Sequence, residues 1–551
     1  MTDKSRVLVI GLDGATFDLI RPWAAQGKLP TFQRLLSEGV SGDLESTIPP
    51  VTSPAWPTFM TGMNPGHHSV FDYIRERQGQ FDLVNGANID GMTIWEILSA
   101  RGRRVGVMNV PVTYPPRPVN GFIITGLLSP RGAEFTYPSS FIRPYESELG
   151  PYRIVPGVQY KDGNEDAFIA DVDDLIEQRA RYALRLMRDH QWDFLMVHFL
   201  ALDLLQHALW RHMDASHPGH DPQQAARYGD SILHGYQKID QAVGRLLAQV
   251  GDDTTVALMS DHGFGPLHGM VNLNVLLLRA GLLHLKRDPL TRLKYVLFRL
   301  GMTPSAVYGW LARLGLQNIT VKVSKRARNR VMDRFLSFSD VDWSRTMAYS
   351  IGHVGQVYIN LKGRQPWGIV RPEEYDSVRQ RVIEVLNSLQ NPVTGKPLVD
   401  RVLTREQVCA GPYCEQGPDL HLVMDGYRYI ACPLFATNGR IITRQIRGDS
   451  GCHRQNGVFL ARGPALQQGM RIQGAHIVDL APTLLHLMGE AVPDGMDGRV
   501  LHEIFRPAFD ETHAVRYEVA TVAGSREEER ELSSEEALEI EERLRGLGYL
   551  G

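Results

Sequence analysis

Asp203 and His207, in the stretch FLALDLLQHALW, stand four residues apart. On a helix that spacing puts a carboxylate and an imidazole on one face, within reach of one metal ion. Asp261 and His262 are neighbours in ALMSDHGFG, just past an apolar run. Adjacent residues of a regular strand point to opposite faces, so this pair needs the irregular turn that Gly263 and Gly265 allow. His453 lies in the glycine-containing stretch GDSGCHRQNG, and Asp13 follows RVLVIGL. Each signal is weak by itself, since a lone Asp–His pair at i, i+4 is more often a surface hydrogen bond or ion pair. Three Asp and three His together suit a borderline cation, zinc above all, better than magnesium, which prefers oxygen ligands.

Residues 46–70, STIPPVTSPAWPTFMTGMNPGHHSV, hold no Lys, Arg, Asp or Glu in a chain that is 22% charged. A surface loop ordinarily carries charge; this one carries the hydroxyls of Thr52, Ser53, Thr58 and Thr61. A threonine hydroxyl is a poor nucleophile at neutral pH and needs a base or a metal. Two metal ions can hold the attacking and leaving oxygens of an in-line displacement and neutralise phosphoryl charge. A loop served in that way needs no charge of its own. Pro49, Pro50 and Pro54 stiffen the approach, each fixing φ. Thr58 and Thr61 are expected to cap the next helix or bond locally, as is one of His67 and His68.

The elements that must position these groups alternate. Strands are expected at 6–10, 104–109, 193–200 and 254–259, and helices at 30–38, 93–101, 171–188 and 225–250. Strands alternating with helices of this length predict an α/β fold, a doubly wound, mostly parallel sheet with helices on both faces. Ligands of such sheets sit at the carboxyl ends of the strands, where Asp13, Asp203 and Asp261 fall. Residues 1–262 read as the first part of this core and 448–506 as its second. Residues 263–345 read as an inserted basic helical lobe, because 286–334 carries twelve Lys or Arg against two acids. A small α+β subdomain is expected over 346–447, with a strand at 356–361 and a helix at 372–389. Residues 507–551 form an acidic tail in which Ser533-x-x-Glu536 predicts a capping box.

With 551 residues, two or more lobes are expected. A net charge of −3 gives no reason to expect a nucleic-acid polymer as partner. The basic 286–334 stretch suits steering of an anionic substrate or peripheral contact with acidic lipid headgroups, with a solvated surface as the plain alternative. Four cysteines without a C-x-x-C pair argue against a disulfide scaffold or zinc ribbon and fit a reducing compartment. The N-terminus lacks the pattern of a signal peptide and no long apolar run is present, so the expected location is cytoplasmic. G-x-G-x-x-G is missing after β-like RVLVI, which excludes a dinucleotide loop.

The order Asp13, Thr52-x-Pro54, Gly62-x-x-Pro65-x-x-His68, Asp203-x-x-x-His207, Asp261-His262 and a late His453 resembles the alkaline phosphatase superfamily. Its nearest branch is the type I phosphodiesterase/nucleotide pyrophosphatase family. The resemblance covers residues 1–262 and about 448–500. It implies two divalent ions, usually zinc, with manganese as the alternative. Asp203, His207 and His453 would hold one, and Asp13, Asp261, His262 and the Thr52 hydroxyl the other. Its Thr-x-Pro register selects Thr52 as the catalytic nucleophile, with Ser53 as runner-up. The sulfatase frame C/S-x-P-x-R is absent, because Thr52-x-Pro54-x-Trp56 has neither a convertible residue nor the Arg. One departure is Ala55, where the family places an Asn whose amide contacts a phosphoryl oxygen.

The implied function is hydrolysis of a small phosphoester, a phosphodiester or nucleotide-type pyrophosphate, with Trp56 as an apolar wall for the second ester arm. The alternatives are a phosphomonoesterase or phosphomutase of the same superfamily, or a binding module on this fold; the last would require a lost ligand, and none of the seven positions is lost.

Overall fold

The computed structural model describes residues 5–77, 80–302, 336–432, 435, 440–443, 448–519 and 532–547. The predicted strand runs form the middle of its main sheet. In chain order the first strands are β1 (Arg6–Leu12), β2 (Val40–Glu45) and the hairpin β3 (Ile74–Arg77) and β4 (Gln80–Leu83). Then come β5 (Val105–Met108), β6 (Gly121–Ile124), β7 (Thr136–Tyr137), β8 (Phe194–Phe199) and β9 (Thr254–Met259). The last two of the main sheet are β19 (Asn456–Arg462) and β20 (Met470–His476). Their order is β20-β2-β19-β9-β1-β8-β5-β6-β7. All pairs are parallel except those made by β19 and by β7.

β1, β8 and β9 are the central trio, and β8 and β9 are buried along their whole length. That burial is why residues 194–197 and 256–259 read as apolar runs rather than alternating ones. Each Val, Leu or Ile so buried contributes roughly 1.5–3 kcal/mol. The register sets Gly11 opposite His198 on one side and Met259 on the other. Asp13, the start of the helix Ala201–Met213 and Asp261 therefore leave the sheet at one level. Asp13 N donates to the Phe199 carbonyl at 3.0 Å, which ties two of these exits together.

A smaller sheet lies beside the main one. Its strands are β11 (Gly269–Val271), β12 (Ala348–Ser350), β13 (Gln356–Ile359), β14 (Val399–Thr404), β15 (Leu420–Met424), β16 (Tyr429–Ala431) and β17 (Ile442–Thr443). With the helices Leu273–Arg279 and Tyr375–Asn387 it closes a second apolar core around Leu277, Val357, Leu386 and Leu420. The pair β10 (Gly263–Pro266) and β18 (Gly451–Arg454) is antiparallel and sets Phe264 opposite His453. Of the basic stretch, the helix Pro289–Arg299 is described; residues 303–334 lie outside the described residues.

Three expectations are corrected. The uncharged 46–70 stretch is not a surface loop throughout: Thr52–Thr61 is a helix with all ten residues buried, closed by Gly62 at φ 67°. Its lack of charge follows from that burial, with the site only at its first turn. The helix expected over 225–250 is two, Pro222–Tyr228 and Ser231–Leu247, parted at Gly229 and Asp230. Cys409 and Cys414 are joined by a disulfide, against the expectation of reduced thiols. The turn between them runs through Gly411 at φ 126°, a conformation glycine adopts freely. The Ser533–Glu536 capping box is present, with Ser533 N donating to Glu536 at 2.8 Å and Glu536 N to Ser533 Oγ at 3.2 Å.

Candidate active site

Three imidazoles are locked by the same device. His207 Nδ1 lies 3.0 Å from the Gly451 carbonyl, His262 Nδ1 3.1 Å from that of Gly263, and His453 Nδ1 2.8 Å from that of Pro50. A carbonyl only accepts, so each Nδ1 carries the proton and each Nε2 presents a lone pair. All three Nε2 atoms face the carboxylates. His207 Nε2 and His453 Nε2 are 3.0 Å apart, and each is near Asp203 Oδ1, at 3.4 and 3.3 Å. His262 Nε2 lies 3.5 Å from Asp13 Oδ1 and 3.3 Å from Asp261 Oδ2. Metal-bound histidines are held this way, the distal nitrogen donating to a backbone carbonyl or carboxylate. Two lone pairs at 3.0 Å repel each other unless a cation lies within reach of both.

The carboxylates make the same demand. Asp13, Asp203 and Asp261 are all fully buried. Burial first, then the charges of Asp261 and Asp203, hold the Asp13 carboxyl well above its ordinary range. Burial and Asp203 push Asp261 up to about 8. Burial also opposes ionisation of Asp203, but in the metal-free protein the charge that His207 gains with a second proton on Nε2, followed by the contact with His453, pulls Asp203 well below the ordinary carboxyl value. Asp13 Oδ1 and Asp261 Oδ2 accept no hydrogen bond, and among the described residues no Lys or Arg pairs with either group. Ligand atoms of Asp203, His262 and His453, and of Asp13, Asp261 and His262, lie within 4.8 Å of one another. His207 joins the first set at the distances above. The residues present fit divalent cations.

Thr52 opens its buried helix beside these groups, its Oγ1 3.3 Å from His262 Nε2. Ser53 Oγ is buried without a hydrogen-bond partner. Thr58 and Thr61 bond locally, to the carbonyls of Pro54 and Pro57 at 2.9 and 2.7 Å. His68 bonds to Thr58 Oγ1 at 2.9 Å and packs inside the loop. Trp56 is corrected from substrate wall to core. Its ring is fully buried against Phe59 and His198, and a Cβ on Gly11 of β1 would meet it at 2.6 Å.

Two site residues escape the sequence reading. His198 Nε2 lies 3.0 Å from Asp13 Oδ2 and fixes that carboxylate from behind; burial, then Arg179, pushes its pKa down to about 3, so it stays a neutral donor. Its one signal is being the lone polar residue in the run FLMVHF. The Tyr73 hydroxyl is buried beside Thr52 and the three carboxylates. Burial holds its pKa well above the ordinary phenol value, a hydrogen bond with Thr52 lowers it, and the charges of Asp13, Asp203 and Asp261 raise it further. It remains an O–H donor.

The model of the family described as type I phosphodiesterase / nucleotide pyrophosphatase matches residues 7–433. The chain belongs to that family. It is a phosphoric ester hydrolase of the alkaline phosphatase superfamily, and the family is metal-dependent. Among solved structures, phosphonoacetate hydrolase from Sinorhizobium meliloti 1021 is similar in fold at 14% identity and a TM-score of 0.50, over 87% of this chain and 94% of that one. Human ectonucleotide pyrophosphatase / phosphodiesterase 5 matches at 13% identity and a TM-score of 0.47, over 89% and 96%. Among curated proteins none matches the sequence.

In this hydrolase freed of metal, Asp261 ionises near about 8 when folded and near about 4 when unfolded. The folded state then binds more protons across that window, so stability falls as pH rises from about 4 to about 8. Asp261→Asn keeps the acceptor for Gly14 N and removes the charge. Denaturant midpoints in chelator are expected to fall less with pH for the variant than for the wild type. Identical pH profiles would refute this electrostatic account.

Proposed function

We propose that this chain hydrolyses phosphodiesters through a phosphorylated Thr52, with two divalent ions as cofactors, zinc first and manganese as the alternative. The observation that carries the reading is the clustering of three Nε2 atoms and three buried carboxylates, with the hydroxyl that opens a buried helix 3.3 Å from one of them, His262 Nε2. Asp203, His207 and His453 would hold one ion. Asp13, Asp261, His262 and Thr52 would hold the other. Bound there, the ions supply the charge that neutralises a phosphoryl group and lowers the proton affinity of a hydroxyl oxygen.

Thr52 Oγ1 attacks phosphorus while the bond to the departing alcohol breaks; water then attacks the phosphothreonine, releases a phosphomonoester and restores the hydroxyl. Thr52 and Ser53 are the first residues of their helix, so their N–H groups have no acceptor inside it and lie at the positive end of its dipole. That geometry favours an anion in front of the nucleophile. Pro54 has no N–H to leave unsatisfied. The buried Tyr73 hydroxyl, which interacts with Thr52, would serve as the neutral donor that Ala55 lacks.

A monoester carries nearly two negative charges, and sites that bind it well add an Arg or a further cation. Among the described residues no Lys or Arg pairs with Asp13 or Asp261 or bonds to Thr52. Arg444 and Arg447 lie outside the described residues. A diester carries a single charge, which two ions balance.

Thr52→Ala is expected to lose nearly all turnover and any acid-stable phosphoryl label, with metal content retained, while Ser53→Ala keeps most activity. The opposite pattern moves the nucleophile by one residue. Tyr73→Phe is expected to lower kcat by roughly a hundredfold to a thousandfold, the effect of losing one donor to a developing oxyanion, with metal content unchanged. Wild-type kcat in that variant removes Tyr73 from the mechanism. Finally, kcat/KM on bis(4-nitrophenyl) phosphate is expected to exceed that on 4-nitrophenyl phosphate, and a higher value on the monoester refutes the diester assignment.

A further inference from the structure

The helix Pro289–Arg299 has two apolar faces, and the fold uses one. Phe298 and Thr291 turn inward, and Phe298 joins the core of the smaller sheet. Lys294 is anchored at 2.8 Å to Asp340, and Asp288 caps the first turn by accepting from Thr291 N at 3.0 Å. On the opposite side Leu290, Leu293, Val296 and Leu300 are 62%, 56%, 51% and 66% exposed, and Met302 follows at 45%. At about 100° per residue these four and half-buried Leu297 make one stripe. Single exposed leucines are ordinary, but a continuous exposed stripe marks an interaction surface.

The charge around the stripe selects the partner. Arg292 and Arg299 border one edge and Lys294 the other, with Lys286 and Arg287 just before the helix. Lys286, Arg287, Arg292 and Arg299 are all exposed. Asp288 is the one acid from 286 to 302, and its carboxylate is engaged in the cap. No described helix is long and apolar enough to cross a membrane. An apolar stripe on a single helix, edged by arginines, matches the interfacial plane of a bilayer, where leucines enter the acyl boundary and guanidinium groups meet phosphates.

We propose that this face docks the protein on an anionic lipid surface, with the helix lying parallel to the membrane plane. The contact is independent of the chemistry at Thr52, because none of its residues belongs to that site. The Cβ atoms of Leu293 and Val296 face away from the packed side, so replacing them leaves the fold's own contacts in place.

The test is flotation of the full-length protein with phosphatidylcholine vesicles, with and without phosphatidylglycerol. The wild type is expected to float with the anionic vesicles at low salt, weakly with the neutral ones, and less as salt screens the arginines. The double variant Leu293→Glu with Val296→Glu should lose flotation, and Arg292→Glu with Arg299→Glu should reduce it severalfold. Both should keep the circular dichroism spectrum and the turnover of a soluble diester. Absence of wild-type flotation, flotation indifferent to lipid charge, or flotation unchanged in the leucine–valine variant would overturn the proposal. So would concentration-dependent self-association that this variant abolishes without any vesicle binding, which would assign the stripe to a second copy of the chain.

Discussion

Asp13, Asp203 and Asp261 bring three buried carboxyl groups together, and their mutual repulsion is the constraint the rest of the molecule answers. Two unit charges about 4 Å apart repel by about 4 kcal/mol at an effective dielectric of about 20. That is a large share of a domain's net stability of roughly 5–15 kcal/mol. Protonation relieves part of it, as the raised pKa values of Asp13 and Asp261 record. Divalent cations relieve all of it and use the imidazole lone pairs as well.

The sheet explains how such a cluster is held without collapse. β1 between β8 and β9 brings three chain exits to one level, so the carboxylates come from separate segments whose backbones are fixed by the ladder. The second core carries the return of the chain to β18, and the β10–β18 pair sets His453 against the first-half ligands. Trp56 packs on Gly11, and in that way the sheet sets the height of the helix that begins with Thr52. Thr52 and the candidate ligands are thus referred to the same strand, as in a site built on rigid elements rather than on loops.

What was legible in the sequence was what is local or periodic. The strands around β1 announced themselves as apolar runs, and Asp203 with His207 by helical spacing. The family order placed Thr52 and the distant His453, which no local pattern could do. The misreadings were tertiary in origin. Trp56 is near Thr52 in sequence but turns into the core, and the chargeless stretch looked like a loop because proline and glycine mask a helix that burial stabilises. The Cys409–Cys414 closure depends on a turn at Gly411 that spacing does not reveal. Tyr73 comes beside Thr52 only once the chain has folded around the Pro65–His68 turn, so nothing local in the sequence singles it out.

The most direct test of the account is a metal count on the intact protein. After equilibration with zinc and removal of the excess by gel filtration, elemental analysis should find two zinc ions per chain. The count should fall when His207 and His453 are both replaced by alanine, and chelation should remove both metal and phosphodiesterase activity. A folded protein that holds no zinc, and that hydrolyses phosphoesters undiminished in chelator, would contradict it.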